Sequence, residues 1–133
     1  MKLTSRSEYA MLALVHLGRH KSEGLVPVRA IARAQRIPPK FLEQILLALK
    51  RARYVRSSKG QRGGYQLAKP AGKITLAEIV RLFDGAIAPT ESVSEHFYES
   101  TPIEREEKLV GVFRAIRDHV AEKLERTTIG DVI

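Results

Sequence analysis

Residues Pro38 to Leu67 read PPKFLEQILLALKRARYVRSSKGQRGGYQL, and the rest of the chain is organised around them. Leu42, Ile45, Leu46 and Leu49 recur at i, i+3, i+4 and i+7, the spacing of one buried helix face. Pro38-Pro39 suits the first turn of such a helix, because proline fixes a helical φ there and disfavours helix in the residue before it. The pattern predicts a helix to about Ala52, with Lys40, Glu43, Gln44, Leu47 and Arg51 on the opposite face. Val55 then alternates with polar neighbours, as do Tyr65 and Leu67, which predicts strands over Tyr54–Ser57 and Tyr65–Ala68. The connection, Lys59-Gly60-Gln61-Arg62-Gly63-Gly64, holds three glycines and two cations. Such glycines permit positive φ and close approach of the backbone to a partner.

Working back, Val28–Gln35 reads as a short helix with Ile31 and Ala32 inward and Arg29, Arg33 and Arg36 outward. Gln35-Arg36-Ile37 makes the turn. A short helix, a tight turn, a longer helix and a basic hairpin form the pattern of a winged helix-turn-helix. Gln and Lys on the longer helix can read purine edges in a major groove, Glu can accept from cytosine, and Leu47 can touch a thymine methyl. The same face also suits an ordinary solvated helix. A Lys or Arg at the hairpin tip can enter a minor groove. The glycines do not form a nucleotide loop: neither phosphate-loop spacing is present, and a strand follows where a helix would have to.

The charge agrees with this reading. Net charge is +8 and the pI about 10.0. Residues 1–70 carry 15 Lys/Arg against 3 Asp/Glu, whereas residues 71–133 carry 8 against 12. A basic half before an acidic half points to one polyanion-binding region and one that avoids polyanions. The absence of cysteine excludes disulfides, thiolate-held zinc, cysteine-ligated iron–sulfur clusters and a thiol redox switch. No apolar run reaches the ~18 residues of a membrane helix. MKLTSRSEYA lacks the pattern of a secretory signal, so the expected location is the cytoplasm.

Ser5 and Glu8 match a capping box opening a first helix to about Arg19, with Tyr9, Ala10, Ala13, Leu14 and Leu17 inward. His16 and His20 near its end are expected to be solvated or to favour the helix dipole rather than to bind metal. Thr75 and Glu78 form a second box. They open a helix to Phe83 whose Leu76, Ile79, Val80 and Phe83 should pack on the first helix. Residues 86–102, AIAPTESVSEHFYESTP, read as an acidic, solvated linker. Glu91, Glu95, His96 and Glu99 cluster there, Glu95 and Glu99 at helical spacing, without zinc or calcium-loop spacing. Ile103 to about Arg126 reads as one helix of ~36 Å. Its stripe is Leu109, Val112, Phe113, Ile116, Val120 and Leu124. A small domain offers little core for so long a stripe, so a partner subunit is the expected surface, with packing on its own domain the alternative. Thr128 opens a last short turn.

LTSRSEYAMLALVHL, FLEQIL followed by RGGYQLA, ITLAEIVRLFDG and LERTTIGDVI together resemble the Rrf2 family of bacterial winged-helix transcription regulators. The resemblance covers the chain except about residues 90–108. It implies a homodimer on a partly palindromic operator. Lys40, Glu43 and Gln44 would then be base readers and Lys59 the minor-groove residue, where the family often has arginine. Arg36 stands where glycine is frequent, and Phe113 where many members have tryptophan. Cluster-sensing members carry three cysteines after the fourth helix, the first near Glu91 or Ser92. This chain has none, so it resembles the cluster-free branch, which includes a repressor of cysteine metabolism that responds through a partner protein.

The fold expected is mainly α with a small β-hairpin wing. Residues 1–85 would form the DNA-binding domain, 86–102 a linker or sensor loop, and 103–133 a dimerisation helix and turn. Lys40, Glu43, Gln44, Arg51, Lys59 and Arg62 are the expected DNA contacts. The expected partners are double-stranded DNA, a second copy, and a regulatory protein or small-molecule effector, with no cofactor and no membrane. A winged module that binds protein instead of DNA is the alternative. No nucleophile–base pairing, metal motif or cofactor loop suggests an enzyme.

Overall fold

Helix α1 (Ser5–Arg19) is the hub of the computed structural model, which describes residues 1–133. It packs against α2 (Val28–Gln35), α3 (Pro39–Arg51) and α4 (Leu76–Asp84). Its Ala10, Ala13 and Leu14 are fully buried and Leu17 nearly so. The cap lies one residue earlier than the expected Ser5/Glu8 box. Thr4 is extended, its side chain accepts from the Ser7 N–H, and its carbonyl accepts from the Glu8 N–H at 3.1 Å. The residue three on is therefore Ser7, not an acid. Ser7 is buried and donates its hydroxyl to Asp84 Oδ2 at 2.6 Å, which ties the start of α1 to the end of α4.

The main core joins α1 to Val26, Ile31 and Ala32 of the α2 region, Ile37 of the turn, and Leu42, Ile45, Leu46 and Leu49 of α3. Each buried aliphatic side chain of this kind contributes roughly 1.5–3 kcal/mol. Arg36 adopts the left-handed conformation at the end of α2, φ 55°, so the chain turns sharply and Pro39 starts α3. Strands β1 (Val55–Ser58) and β2 (Gly64–Leu67) pair antiparallel, Val55 opposite Leu67 and Ser58 opposite Gly64. Both begin within one residue of expectation. Val26 adds a bridge that the sequence did not suggest: it exchanges two 2.8 Å backbone bonds with Tyr65. Gly64 permits it. A Cβ there would lie 2.3 Å from the Val26 carbonyl oxygen.

The Thr75/Glu78 box at α4 is present in both directions. Helix α4 serves two cores, however. Ile79 is fully buried in the main core, with Leu76 and Phe83 packed against it, while Val80 and Ala77 turn away to pack with Ile87 and Ala121. The expectation that Val80 faces the first helix is therefore corrected. The last helix, α5 (Glu107–Arg126), is shorter than expected. Pro102–Arg105 form a separate 3-10 turn, and Glu106, at φ −120° and ψ 99°, breaks the continuity.

Residues 86–102 are not a solvated linker. Ile87, Ala88, Ser92, Val93 and Ser94 are buried, and Val93 and Ala88 pack with Val110 of α5. Local hydroxyls satisfy the polar groups: Thr101 donates to Ser92 Oγ at 2.6 Å and Ser94 Oγ accepts from the Phe97 N–H at 2.9 Å. Tyr98 and Ser100 both donate to Glu104, at 2.6 and 2.7 Å. No helix relates Glu95 to Glu99, since the segment bends and the Glu99 N–H bonds the Glu91 carbonyl instead. The chain then returns to the first domain. Ile129 is fully buried in the main core, held by Thr128–Asp131 capping and by its N–H on the Ile74 carbonyl at 2.8 Å.

Candidate nucleic-acid interface

The fold divides α3 cleanly. Leu42, Leu46 and Leu49 are fully buried, and Ile45 is 1 % exposed. Lys40, Glu43, Gln44, Leu47 and Arg51 are all exposed on the other side, where the helical period brings them into one row. Lys59 and Arg62 stand exposed at the hairpin tip. The tip closes through the Gly63 N–H on the Gly60 carbonyl at 3.0 Å, and Gly63 has no room for a side chain, since its Cβ would lie 2.4 Å from the Ser58 carbonyl. All six expected DNA contacts are thus on the surface of one half of the molecule.

Between α3 and the hairpin runs an open groove. Its walls are Leu47 and Lys50 of α3, Arg29 at the start of α2, and Ser57 to Gln61 of the hairpin. Lys50, Ser57 and Ser58 were not singled out from sequence. Lys50 reads only as one more basic residue at a helix end, and the serines as strand filler. Lys40, Lys50, Arg51, Lys59, Arg62 and Arg29 form no ion pair within the chain, unlike Arg81, Arg117 and Arg126 in the acidic half. Of the former, Arg29, Lys50 and Lys59 line the groove, while Lys40, Arg51 and Arg62 lie outside its walls. Unpaired cations are available to a polyanion without breaking an internal bond.

The hairpin is braced at its base. The Tyr54 carbonyl accepts from the Ala68 N–H at 2.9 Å, and Lys69 lies 4.9 Å above the Tyr54 ring while approaching Glu78 at 3.9 Å. Burial, with Glu78 nearby, pushes the Tyr54 hydroxyl above its usual range, so it stays protonated. Along the strands Gln66, with its amide oxygen toward the guanidinium, accepts from Arg56 Nε at 2.7 Å. At the far end of α1 the expectation of solvated histidines is corrected for His16. It is 8 % exposed and its ring lies 4.2 Å from that of His20, which pairs with Glu23. Burial, then the neighbouring His20, lowers its pKa, so the neutral ring is favoured.

No three His, Asp or Glu side chains converge as a metal set, and no helix is long and apolar enough to cross a membrane. Glu95, from the cluster noted in sequence, instead faces Arg117 Nη1 at 3.4 Å.

Residues 3–133 match the Rrf2 family, described as iron-dependent transcriptional regulator. A Mycobacterium tuberculosis protein named for the HTH-type transcriptional regulators is 38% identical over 133 residues, covering 99% of this chain and 81% of the relative. The HTH-type transcriptional regulator CymR of Bacillus subtilis is 30% identical, covering 99% of this chain and 89% of the relative. The solved structure of that CymR, the global cysteine regulator of B. subtilis, superposes with a TM-score of 0.80 over 99% of this chain and 95% of its own. The T. potens IscR structure gives 0.76 at 25% identity, over 99% and 85%. The description implies iron, but the residues here do not fit a thiolate-held cluster. There is no cysteine, and Ser92 and Ser94, in the segment after α4, are buried in hydrogen bonds to their own chain. The winged fold, the basic groove and the match over nearly the whole length place the chain in the Rrf2 family of DNA-binding transcriptional regulators.

Proposed function

We propose that two copies of the chain bind one partly palindromic operator and repress transcription by occupying it. Each copy lays α3 in a major groove and the hairpin over the neighbouring minor groove. Lys40, Glu43 and Gln44 read base edges, and Arg51 holds the backbone. Lys59 and Arg62 contact phosphate or the minor groove. Lys50 and Arg29 line the path of the strand between them. The observation that carries this reading is the exposed, unpaired polar row of α3 beside a basic hairpin, on a helix whose other face is fully buried.

Pairing is proposed through α5. Leu109, Val112 and Ile116 are 43, 56 and 45 % exposed and share one stripe. Phe113, Val120 and Leu124, also expected at the interface, lie on the stripe's inner margin and pack partly on their own chain. A second copy would cover the outer edge. The protein acts in the cytoplasm with the DNA it reads, and its signal reaches it through an effector or partner rather than a cluster.

Mobility shift and footprinting on the DNA upstream of its own gene test the proposal. A protected, partly palindromic site is expected, with affinity falling steeply as salt rises. Equal affinity for random DNA of the same length would overturn sequence-specific reading, and a monomeric complex would overturn the pairing.

A further inference from the structure

The hairpin has two faces, and the groove beside α3 uses one of them. Side chains alternate along a strand, so Ser57 and Tyr65, a cross-strand pair, lie toward α3, and the next pair, Arg56 and Gln66, lies on the other face. On that second side is an open cleft of about 350 Å³. Its walls are Arg56 and Gln66, residues 67–71 that follow them, and Lys21 from the turn after α1. It shares no residue with the groove beside α3.

Three cations, Lys21, Arg56 and Lys69, line this cleft, and no acid does. Lys21 and Arg56 are exposed. Of the three, Lys69 alone has a carboxylate partner, Glu78 at 3.9 Å, whose other oxygen accepts from the Thr75 N–H at 2.8 Å. Arg56 is held without being neutralised. With the Gln66 amide turned toward the guanidinium, its oxygen accepts from Arg56 Nε at 2.7 Å and from Nη2 at 3.2 Å. A neutral amide fixes the guanidinium and leaves its charge whole, where a carboxylate would cancel it. A guanidinium also has more N–H donors than these contacts use.

Resting on the reading of α3 and the hairpin as the DNA-binding surface, we propose that this cleft takes a backbone phosphate of the second DNA strand. The hairpin then grips the minor groove from both sides. That groove is only about 6 Å wide, so a hairpin tip inside it lies between the two backbones. The face with Ser57 and Tyr65 meets the strand that follows α3. The face with Arg56 meets the strand across from it, and Lys21 reaches the same backbone from the end of α1. Arg56 supplies paired N–H donors and Lys21 a point charge. Gln66 is a positioning residue, acting through Arg56. Such contacts set the depth and register of the hairpin without reading sequence.

The test is binding of the full chain to the site it protects upstream of its own gene, with single phosphates replaced by uncharged methylphosphonates. Arg56→Gln and Lys21→Gln should each lower affinity and reduce the slope of log affinity against log salt by about 0.9. Neutralising one phosphate, across the minor groove from the strand that follows α3, should weaken the wild type and leave Arg56→Gln unaffected. Arg56→Lys should keep the slope. Gln66→Glu should lose it as Arg56→Gln does, with the strand pairing intact by amide NMR. Lys108→Gln, the same charge change on an exposed residue of α5, should leave the slope alone. Lys21, which is off the hairpin, carries the test if the Arg56 variants do not fold. Wild-type affinity and slope in both Arg56→Gln and Lys21→Gln, beside a loss in Lys59→Ala, would overturn the cleft and leave the α3 reading standing. A loss in Lys108→Gln equal to theirs would show a general charge effect and also overturn it. If Lys59→Ala matches the wild type as well, the hairpin does not meet DNA, and the cleft falls with it.

Discussion

Helices α3 and α5 are both amphipathic, and the chain treats them differently. The apolar stripe of α3 is buried throughout, with Leu42, Leu46 and Leu49 at 0 % exposure. On α5 only Val110 and Ala121 are buried, and Leu109, Val112 and Ile116 lie in solvent. The difference comes from the number of neighbours. Helix α3 sits against α1, α2 and β1, whereas α5 crosses one side of α4 and the 86–102 segment. The part of the stripe that its own chain leaves uncovered is the surface proposed above for a second copy. On α3 the exposed face is polar and unpaired, and the partner proposed for it is DNA.

The sharpest way to break this contrast is to truncate one residue from each stripe. Leu46→Ala should cost about 2–5 kcal/mol of unfolding free energy, read by denaturant titration, because it empties a close-packed site. Val112→Asp should leave monomer stability within about 0.5 kcal/mol. It should nonetheless weaken self-association at least tenfold in sedimentation experiments, about 1.4 kcal/mol, by burying an unpaired charge. If Val112→Asp unfolds the monomer instead, the outer stripe is core and the contrast fails.

On the polar side the expected effects are smaller. Gln44→Ala should cost roughly 1–3 kcal/mol on the cognate site and relax base preference there, measured by competition binding. Equal loss on random DNA would reduce Gln44 to a backbone contact. Lys59→Ala should lower affinity and reduce the slope of log affinity against log salt by about 1. An unchanged slope would remove Lys59 from the contacts.

The smallest expected effect is on pH dependence. Burial and His20 lower the His16 pKa below the ordinary histidine value of 6.5. The unfolded chain therefore binds the proton more readily. The stability from a neutral His16 is fully present above about pH 6.5 and is lost as pH falls below it toward the lower folded value. His16→Gln should flatten the pH–stability curve in that window. A curve of unchanged shape would assign the dependence to other groups.

The winged half was legible because its signals are local and agree with one another. All four apolar residues assigned to α3 are buried and all six expected contacts are exposed. The strand limits moved by a single residue. The misreadings fall where a local pattern met a tertiary one. Ser5 was a plausible cap until Ser7 was drawn to Asp84, and Val80 belonged to α4's inner stripe until α5 supplied a second core. Residues 86–102 looked solvated because acidic and hydroxyl side chains outnumber the apolar ones. Only packing shows that Ile87, Ala88 and Val93 suffice to pin the segment.

The sequence by itself determined the reading head: periodicity, proline placement and glycine spacing set the helix, the turn and the hairpin, because backbone preferences and one buried face act over a few residues. Tertiary structure decided what long-range contacts decide. It brought Val26 beside Tyr65, returned Ile129 to the first core, split the α5 stripe between its own domain and solvent, and set Lys21 and Arg56 on one cleft. None of these pairs is close in the chain, and no local propensity encodes which distant residue will fill a given gap.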